Sequence, residues 1–258
     1  MSKIAVVNQK GGVGKTTTVV NLSTAFAQQG KRVLVVDGDS QANATSGFGI
    51  NARKMKNLYH VLIGEADIDD VILHIKDAGV DLVPSSPDLI GVDAEIKDFD
   101  HWELFLKNAL QKVEGRYDYI FIDAPPSLGT LTILILAAAD SVLIPVQAEY
   151  YALEGVAQLL ETITHVRRTI NPSLKLKGFL ITMFDRRTKL AEHVEEEIRR
   201  IFPNLVFETV IPRNIRLAEA PSYGLPGVIY DPTSPGAQAY MDLAKEMLSH
   251  EEEAAGIR

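Results

Sequence analysis

Eight consecutive residues carry the strongest chemical signal in this 258-residue chain: Lys10-Gly-Gly-Val-Gly-Lys-Thr-Thr17. Gly11, Gly12 and Gly14 let backbone N–H groups turn inward around an anion with no Cβ in the way. A helix starting at Lys15 would add its unpaired N–H groups and the positive end of its dipole. Lys15 is suited to neutralise the β- and γ-phosphates of a nucleotide, and the Thr16 hydroxyl to ligate Mg²⁺; Val13 and Thr17 complete the cradle. The full G-x-x-x-x-G-K-[ST] pattern needs glycine at position 9. Gln9 stands there instead, followed by an additional lysine, Lys10. A glycine-rich structural turn is the competing reading. The setting, between an apolar strand-like run and helix-period sequence, argues against it.

Two carboxylate clusters follow. Asp37-Gly-Asp-Ser-Gln41 ends a second strand-like run, and Asp123-Ala-Pro-Pro126 ends a later one. In an open α/β sheet, ligands sit beyond the carboxyl ends of the strands, so the three segments should meet in one crevice. Asp123 is suited to hold Mg²⁺ through water, and Asp39 to position an attacking water. Thr16, Asp39 and Asp123 are therefore the metal-site candidates. Lys10, Lys15 and Asp39 are the catalytic ones. A single Asp at a strand end could equally cap a helix; three phosphate-site elements in order make that reading poor for the set.

The elements that must position these groups alternate. Strand-like runs occupy residues 3–8, 31–37, 80–84, 117–123, 141–146, 176–182 and 205–210. Several are apolar on both faces, as in a covered parallel sheet. Helix-period stretches occupy residues 15–29, 101–113, 153–170, 189–201 and 238–248. Residues 52–100 hold short helices with ill-defined edges. The expectation is one α/β domain over residues 1–258: a doubly wound, mostly parallel sheet with helices on both faces, as in the P-loop nucleoside triphosphatases. Residues 251–258 read as a frayed tail.

Composition narrows the function classes. The chain has no cysteine, which removes disulfides, thiolate metal sites and iron–sulfur clusters. Its six histidines show no zinc spacing. The apolar run over residues 131–146 is broken by Asp140 and falls short of the ~20 residues a spanning helix wants. No signal peptide fits ahead of the first strand. These features point to a cytoplasmic protein. Formal charge is −8, from 26 basic and 34 acidic residues, so a globally basic nucleic-acid binder is excluded while a local patch is not.

The motifs resemble the ParA/Soj partition ATPases, within the deviant Walker A class that also holds MinD. The resemblance covers nearly the whole chain. It runs through Asn8-Gln-Lys-Gly-Gly-Val-Gly-Lys-Thr-Thr17, Asn43-Ala-Thr-Ser-Gly47 and Asp123-Ala-Pro-Pro-Ser127. It continues through Pro145-Val-Gln-Ala-Glu-Tyr-Tyr-Ala-Leu-Glu-Gly155 and Ile211-Pro-Arg-Asn-Ile-Arg-Leu-Ala-Glu-Ala-Pro221. With no helix-turn-helix extension ahead of Lys3, it looks like the short, chromosomal-type branch. One departure stands out. The family reads D-x-D-P-Q after the second strand, and Ser40 replaces that proline, which leaves the loop without a fixed φ.

The resemblance implies a Mg²⁺-dependent ATPase, weak alone, that forms a homodimer on binding ATP. Lys10 of each subunit would reach the partner's phosphates, and Pro212 and Asn214 would line the base pocket. The dimer would bind DNA without sequence preference, through Arg187 and Arg216, with Arg186 and Arg213 as weaker candidates. A ParB-type centromere-binding protein would stimulate hydrolysis, driving chromosome or plasmid partition. ATP-bound dimers would be associated with the nucleoid. Residues 160–220 hold eleven basic and eight acidic residues in a chain that is acidic overall. That modest local excess alone favours a solvated, salt-bridged face over a DNA patch. A MinD-like membrane cycle is the alternative. It wants a basic amphipathic C-terminal helix, and Ser249-His-Glu-Glu-Glu253 is acidic. A metabolic amide-forming enzyme with the same phosphate loop is a further alternative.

Overall fold

Short runs rich in β-branched and aromatic residues become strands here because helices cover both of their faces. The computed structural model describes residues 1–149, 152–254 and 256; Tyr150 and Tyr151, within one block of the resemblance, lie outside the described residues. The strands are β1 (Ser2–Val6), β2 (Val33–Asp37), β3 (Leu73–Ile75), β4 (Val80–Val83), β5 (Tyr119–Asp123), β6 (Ser141–Gln147) and β7 (Lys175–Thr182). They lie in the order β3-β4-β2-β5-β1-β6-β7. Every pairing is parallel except β3 with β4. The doubly wound expectation is met.

The helices are α1 (Lys15–Gln28), α2 (Asn43–Gly47), α3 (Leu58–Leu62), α4 (Val92–Ile96), α5 (Phe105–Gln111), α6 (Thr130–Ala138), α7 (Ala152–Thr169), α8 (Lys189–Ile201), α9 (Ile215–Glu219), α10 (Gly227–Tyr230) and α11 (Pro235–Ala254). Strand side chains alternate between two cores, as the period of two requires. Ala5, Leu34, Val36, Ile120 and Ile122 pack with α3 to α8. Ile4, Val6, Val33, Val35 and Phe121 pack with α1 and α11 on the other face. There Phe26 of α1 meets Tyr119 and Phe121 edge-on, at 4.6 and 5.3 Å between ring centroids. Full burial of each such side chain stabilises by ~1.5–3 kcal/mol.

Three expectations need correction, and β3 and α6 are added to the expected elements. Residues 205–210 do not form a strand: only Val206 bridges β7, at Phe179. Beyond it the Ile211 N–H donates to the Ile181 carbonyl at 2.9 Å and Pro212 bridges Phe184, so the segment follows β7 through separate contacts and builds no continuous ladder. The far edge is instead made by β3, a three-residue strand too short to show a period. The apolar run over residues 131–146 divides into α6 and β6, and the 101–113 stretch opens as a 3₁₀ turn over Trp102–Leu104 before α5. The predicted frayed tail is helical as far as Ala254, because Glu251 accepts hydrogen bonds from the Tyr119 hydroxyl and the Lys177 ammonium. Ala255, Ile257 and Arg258 lie outside the described residues. No helix among the described residues is long and apolar enough to cross a membrane.

Candidate active site

The carboxyl ends of β1, β2 and β5 lie side by side, with Val6 opposite Asp123 and Asp123 opposite Asp37 in register. The phosphate-type loop leaves β1 here. Asn8 braces it at both ends: its Nδ2 donates to the Pro145 carbonyl at 2.8 Å, and its Oδ1 accepts from the Lys10 N–H at 3.0 Å. Gln9, which replaces the first glycine of the usual pattern, sends its side chain away from the loop and donates to the Gly155 carbonyl of α7 at 3.1 Å. From the other side, Thr182 of β7 donates to the Val13 carbonyl at 2.8 Å. Gly12 and Gly14 have φ of 75° and 90°, left-handed values that favour glycine. No protein atom lies within 4 Å of where a Cβ on Gly11 or Gly12 would stand. The loop therefore faces an open cradle rather than packed protein.

Lys15 opens α1, buried at 6% exposure, and its ammonium donates to the Lys10 carbonyl at 3.2 Å. Desolvation pulls its pKa below the usual lysine value, opposed by the charges of Asp123 and Asp39. Thr16 donates to Asp123 Oδ2 at 2.7 Å. Asp123 is fully buried, and its Oδ1 has no hydrogen-bond partner. Burial, reinforced by the charge of Asp37, pushes its pKa well above the ordinary carboxylate range. A buried, unsatisfied carboxylate oxygen is costly and calls for a partner. Gly38 lets β2 approach β5 this closely: a Cβ there would stand 2.7 Å from the Asp123 carbonyl oxygen.

Asp37 and Asp39 differ. Asp37 is fully buried, and burial raises its pKa to about 6 against three donors, the Thr45 hydroxyl, the Thr45 N–H and the Asp39 N–H. Asp39 lines a cavity of about 440 Å³ together with Gly11, Gly12, Lys15, Thr16 and Thr17. Pro212 and Asn214 line an adjoining cavity of about 270 Å³ that shares Gly14, Thr17, Met183 and Leu217 with the first. Asn214 also caps α9, its Oδ1 accepting the Leu217 N–H at 3.2 Å. Thus Gly11, Gly12, Gly14, Lys15, Thr16, Thr17 and Asp39 line the first cavity and Pro212 and Asn214 the adjoining one, while Asp123 lies buried behind Thr16, Val13 is buried with its carbonyl held by Thr182, and Lys10 stands on the rim.

The donor set suits a magnesium polyphosphate. Among the described residues, no group of three His, Cys, Asp or Glu side chains could cage a metal alone. Mg²⁺ commonly takes one or two protein ligands and completes its shell with water and substrate phosphates, and Thr16 with Asp123 offers that minimal set.

Lys10 does not point into its own cradle. Its ammonium lies 2.7 Å from Glu149 Oε2 on the exposed rim. The expected DNA-contact arginines lie elsewhere, each tied to acid. Arg187 binds Asp185 through Nε at 2.8 Å and Nη2 at 2.6 Å, which pulls the Asp185 pKa down to about 2. Arg216 binds Glu219 at 2.9 Å and Asp231 at 3.4 Å. The Phe184–Pro212 bridge sets the Arg186 and Arg187 loop beside Arg213. Sequence reasoning missed Thr45, Ser85, Glu149 and Asp185. Ser85 follows β4, and the rule that ligands gather beyond strand ends could have found it.

A doubly wound sheet with a glycine cradle, a buried lysine and an underfilled carboxylate at its carboxyl edge defines a P-loop nucleotide-binding protein. Residues 1–176 match the AAA domain family model. The chromosome-partitioning relatives span almost the whole molecule. The chromosome-partitioning ATPase Soj of Thermus thermophilus is 52% identical, covering 98% of this chain and 97% of its own. The sporulation initiation inhibitor protein Soj of Bacillus subtilis is 51% identical, covering 96% and 98%. Among solved structures, cobyrinic acid a,c-diamide synthase from Mycobacterium smegmatis with bound ADP and magnesium superposes with a TM-score of 0.87 at 36% identity, covering 98% and 96%. The chain belongs to the Soj/ParA family of chromosome-partitioning ATPases.

Proposed function

We propose that this chain hydrolyses ATP with Mg²⁺ in the 440 Å³ crevice and uses the nucleotide to switch a DNA-bound dimer on and off. The observation that carries the reading is the buried Asp123 carboxylate, one oxygen held by Thr16 and the other without a partner, beside the buried Lys15 ammonium. Those groups are poorly satisfied by the protein alone and well satisfied by a metal–polyphosphate.

In this reading the loop N–H groups and Lys15 bind and orient the β- and γ-phosphates. Thr16 and Asp123 would hold Mg²⁺, Asp123 through water and with Asp39 nearby; the ion would neutralise charge on the phosphate oxygens. Asp39 orients the water that attacks. Pro212 and Asn214 flank the adenine. Lys10 leaves Glu149 and reaches the phosphates of a second copy, closing the homodimer. Positioning rather than covalent chemistry dominates phosphoryl transfer, so the rate of one subunit alone stays low. Arg187 and Arg216 of both copies then face DNA phosphates without reading sequence, and a ParB-type protein accelerates hydrolysis and release. The ATP form would sit on the nucleoid in the cytoplasm.

The test is binding of the full chain to a random-sequence duplex with ATP, ADP or no nucleotide, in Mg²⁺ or EDTA, alongside phosphate release. Binding confined to ATP with Mg²⁺, and lost as phosphate appears, supports the reading. DNA binding indifferent to nucleotide would remove the switch.

A further inference from the structure

Asp39 sits on a loop that lacks any covalent stiffener. Ser40 follows it, and the Ser40 N–H donates to no protein group among the described residues. Yet the loop is held by a closed ring of hydrogen bonds. The Ser85 hydroxyl donates to the Asp39 carbonyl at 2.7 Å. The Ser85 N–H donates to Thr45 Oγ1 at 2.9 Å. Thr45 in turn donates to Asp37 Oδ2 with both its N–H, at 2.8 Å, and its hydroxyl, at 2.7 Å. Asp37 Oδ1 accepts the Asp39 N–H at 3.2 Å and closes the circuit. Asp37, Asp39, Thr45 and Ser85 are all buried.

The ring joins three elements: the end of β2, helix α2 and the end of β4. Thr45 has one hydroxyl proton, spent on Asp37, so its lone pairs must face the Ser85 amide, and the direction of every bond is set. Neither Thr45 nor Ser85 lines the 440 Å³ cavity, whereas Asp39 does. The pair therefore acts on the cavity only through neighbours, and Asp39 is the neighbour that both the Ser85 hydroxyl and Asp37 hold directly. We propose that Thr45 and Ser85 are positioning residues that fix the Asp39 carboxylate for hydrolysis, the hydrogen-bonded ring substituting for backbone rigidity at Ser40. This inference rests on the role given to Asp39 above.

A fully satisfied buried network holds one geometry, and misplacement of a reacting group by about 1 Å can cost ~10²-fold in rate. The experiment measures phosphate release and ATP affinity of the full chain with Mg²⁺, plus thermal unfolding, for the parent and a small set of variants. Thr45→Val keeps the shape and removes the hydroxyl. It should lower kcat ~10- to 100-fold while KM for ATP stays within about twofold. Thr45→Ser keeps the hydroxyl and should stay within about threefold of the parent. Ser85→Ala should lower kcat alone, and adding Ser40→Pro should restore most of the loss, because proline fixes φ where serine does not. Parent-like kcat in Thr45→Val overturns the proposal. So does a loss of kcat shared equally by Thr45→Ser, or one that tracks a fall in unfolding temperature and a rise in KM. Asp39→Ala separates the two levels. If it turns over like the parent, the role of Asp39 itself fails; if it is inactive while Thr45→Val is unimpaired, only the ring is wrong.

Discussion

Charge is handled differently in the phosphate-loop crevice and on the arginine-bearing face. In the crevice, Lys15, Asp37, Asp39 and Asp123 are all buried, and one Asp123 oxygen is unpartnered. On the surface, Arg187 of the loop after β7 and Arg216 of α9 are exposed, and each is already bound to a carboxylate. Burying ionised groups is expensive unless they are paired, so an incompletely paired buried cluster persists for what it binds. Exposed ion pairs are worth ~0–1 kcal/mol and form on most surfaces. The first region announces a ligand by its own energetics, and the second does not.

The largest effect should come from the crevice. Lys15→Ala leaves a polyphosphate in a cradle of backbone dipoles with no fixed cation. A hydrogen bond to a charged group is worth ~1.5–3 kcal/mol, so ATP affinity should fall ~10- to 100-fold or more. Isothermal titration with ATP and Mg²⁺ reads it. Unchanged affinity would mean that the buried lysine serves the fold alone, and the contrast between the two regions would collapse.

Lys10 stands between the regions, on the loop yet exposed at its rim and paired with Glu149. Lys10→Ala should bind ATP as a monomer, because Lys15 already serves the subunit's own phosphates. Glu149→Gln should instead favour the dimer, by releasing Lys10 from its partner within the chain. An exposed pair restrains by no more than ~1 kcal/mol, and a dimer releases two such pairs, so that shift should be at most about 25-fold in dimer affinity. Sedimentation with ATP measures both. If Lys10→Ala dimerises normally, the lysine acts within its own subunit.

The same contrast decides what the sequence could reveal. Residues 10–17 were legible because a glycine cradle constrains residue type at fixed spacing. The central strands were legible because burial on both faces demands apolar runs. Strand β3 was not, since three residues establish no period. Residues 205–210 mislead, since Leu205, Val206 and Phe207 are apolar and meet β7 at a single bridge without extending it into a strand. Thr45 and Ser85 lie 40 residues apart and meet only in the fold. Arg187 and Arg216 stand out only by resemblance, and no local signal in the sequence shows that Asp185 and Glu219 hold them.

Removing both arginines tests the exposed region. Arg187→Ala and Arg216→Ala should weaken ATP-dependent DNA binding while leaving ATP-dependent dimerisation intact. Each phosphate contact contributes ~0.9 to the slope of log affinity against log salt, so a dimer losing one arginine per subunit should lose ~2 from that slope. A salt series on a random duplex measures it. Equal slopes in parent and variants would leave these residues as ordinary surface charges.

The smallest effect sharpens the comparison most, because it asks whether pairing or exposure governs the arginine face. Asp185 is the centre of that face. It takes two hydrogen bonds from the Arg187 guanidinium and one from the Arg187 N–H, and Arg213 also stabilises its charge. A DNA phosphate must compete with this carboxylate for Arg187 and also approach its negative charge. Asp185→Asn removes the charge and keeps an oxygen to accept the Arg187 N–H, and the turn closed by the Thr188 N–H on the Asp185 carbonyl is untouched. The loop should therefore hold its shape while Arg187 becomes available. Exposed pairs of this kind are worth less than ~1 kcal/mol each, and a dimer presents two, so DNA affinity should rise no more than about fivefold per subunit, or about 25-fold in all, at low salt. The gain should shrink as salt rises, because the repulsion it relieves is screened within ~10 Å at 0.1 M. ATP turnover without DNA should not change, since Asp185 borders neither cavity. Affinity that falls in Asp185→Asn would show the carboxylate to be orienting Arg187 toward DNA rather than withholding it, and pairing on this face would then be preparation for binding, as it is in the crevice.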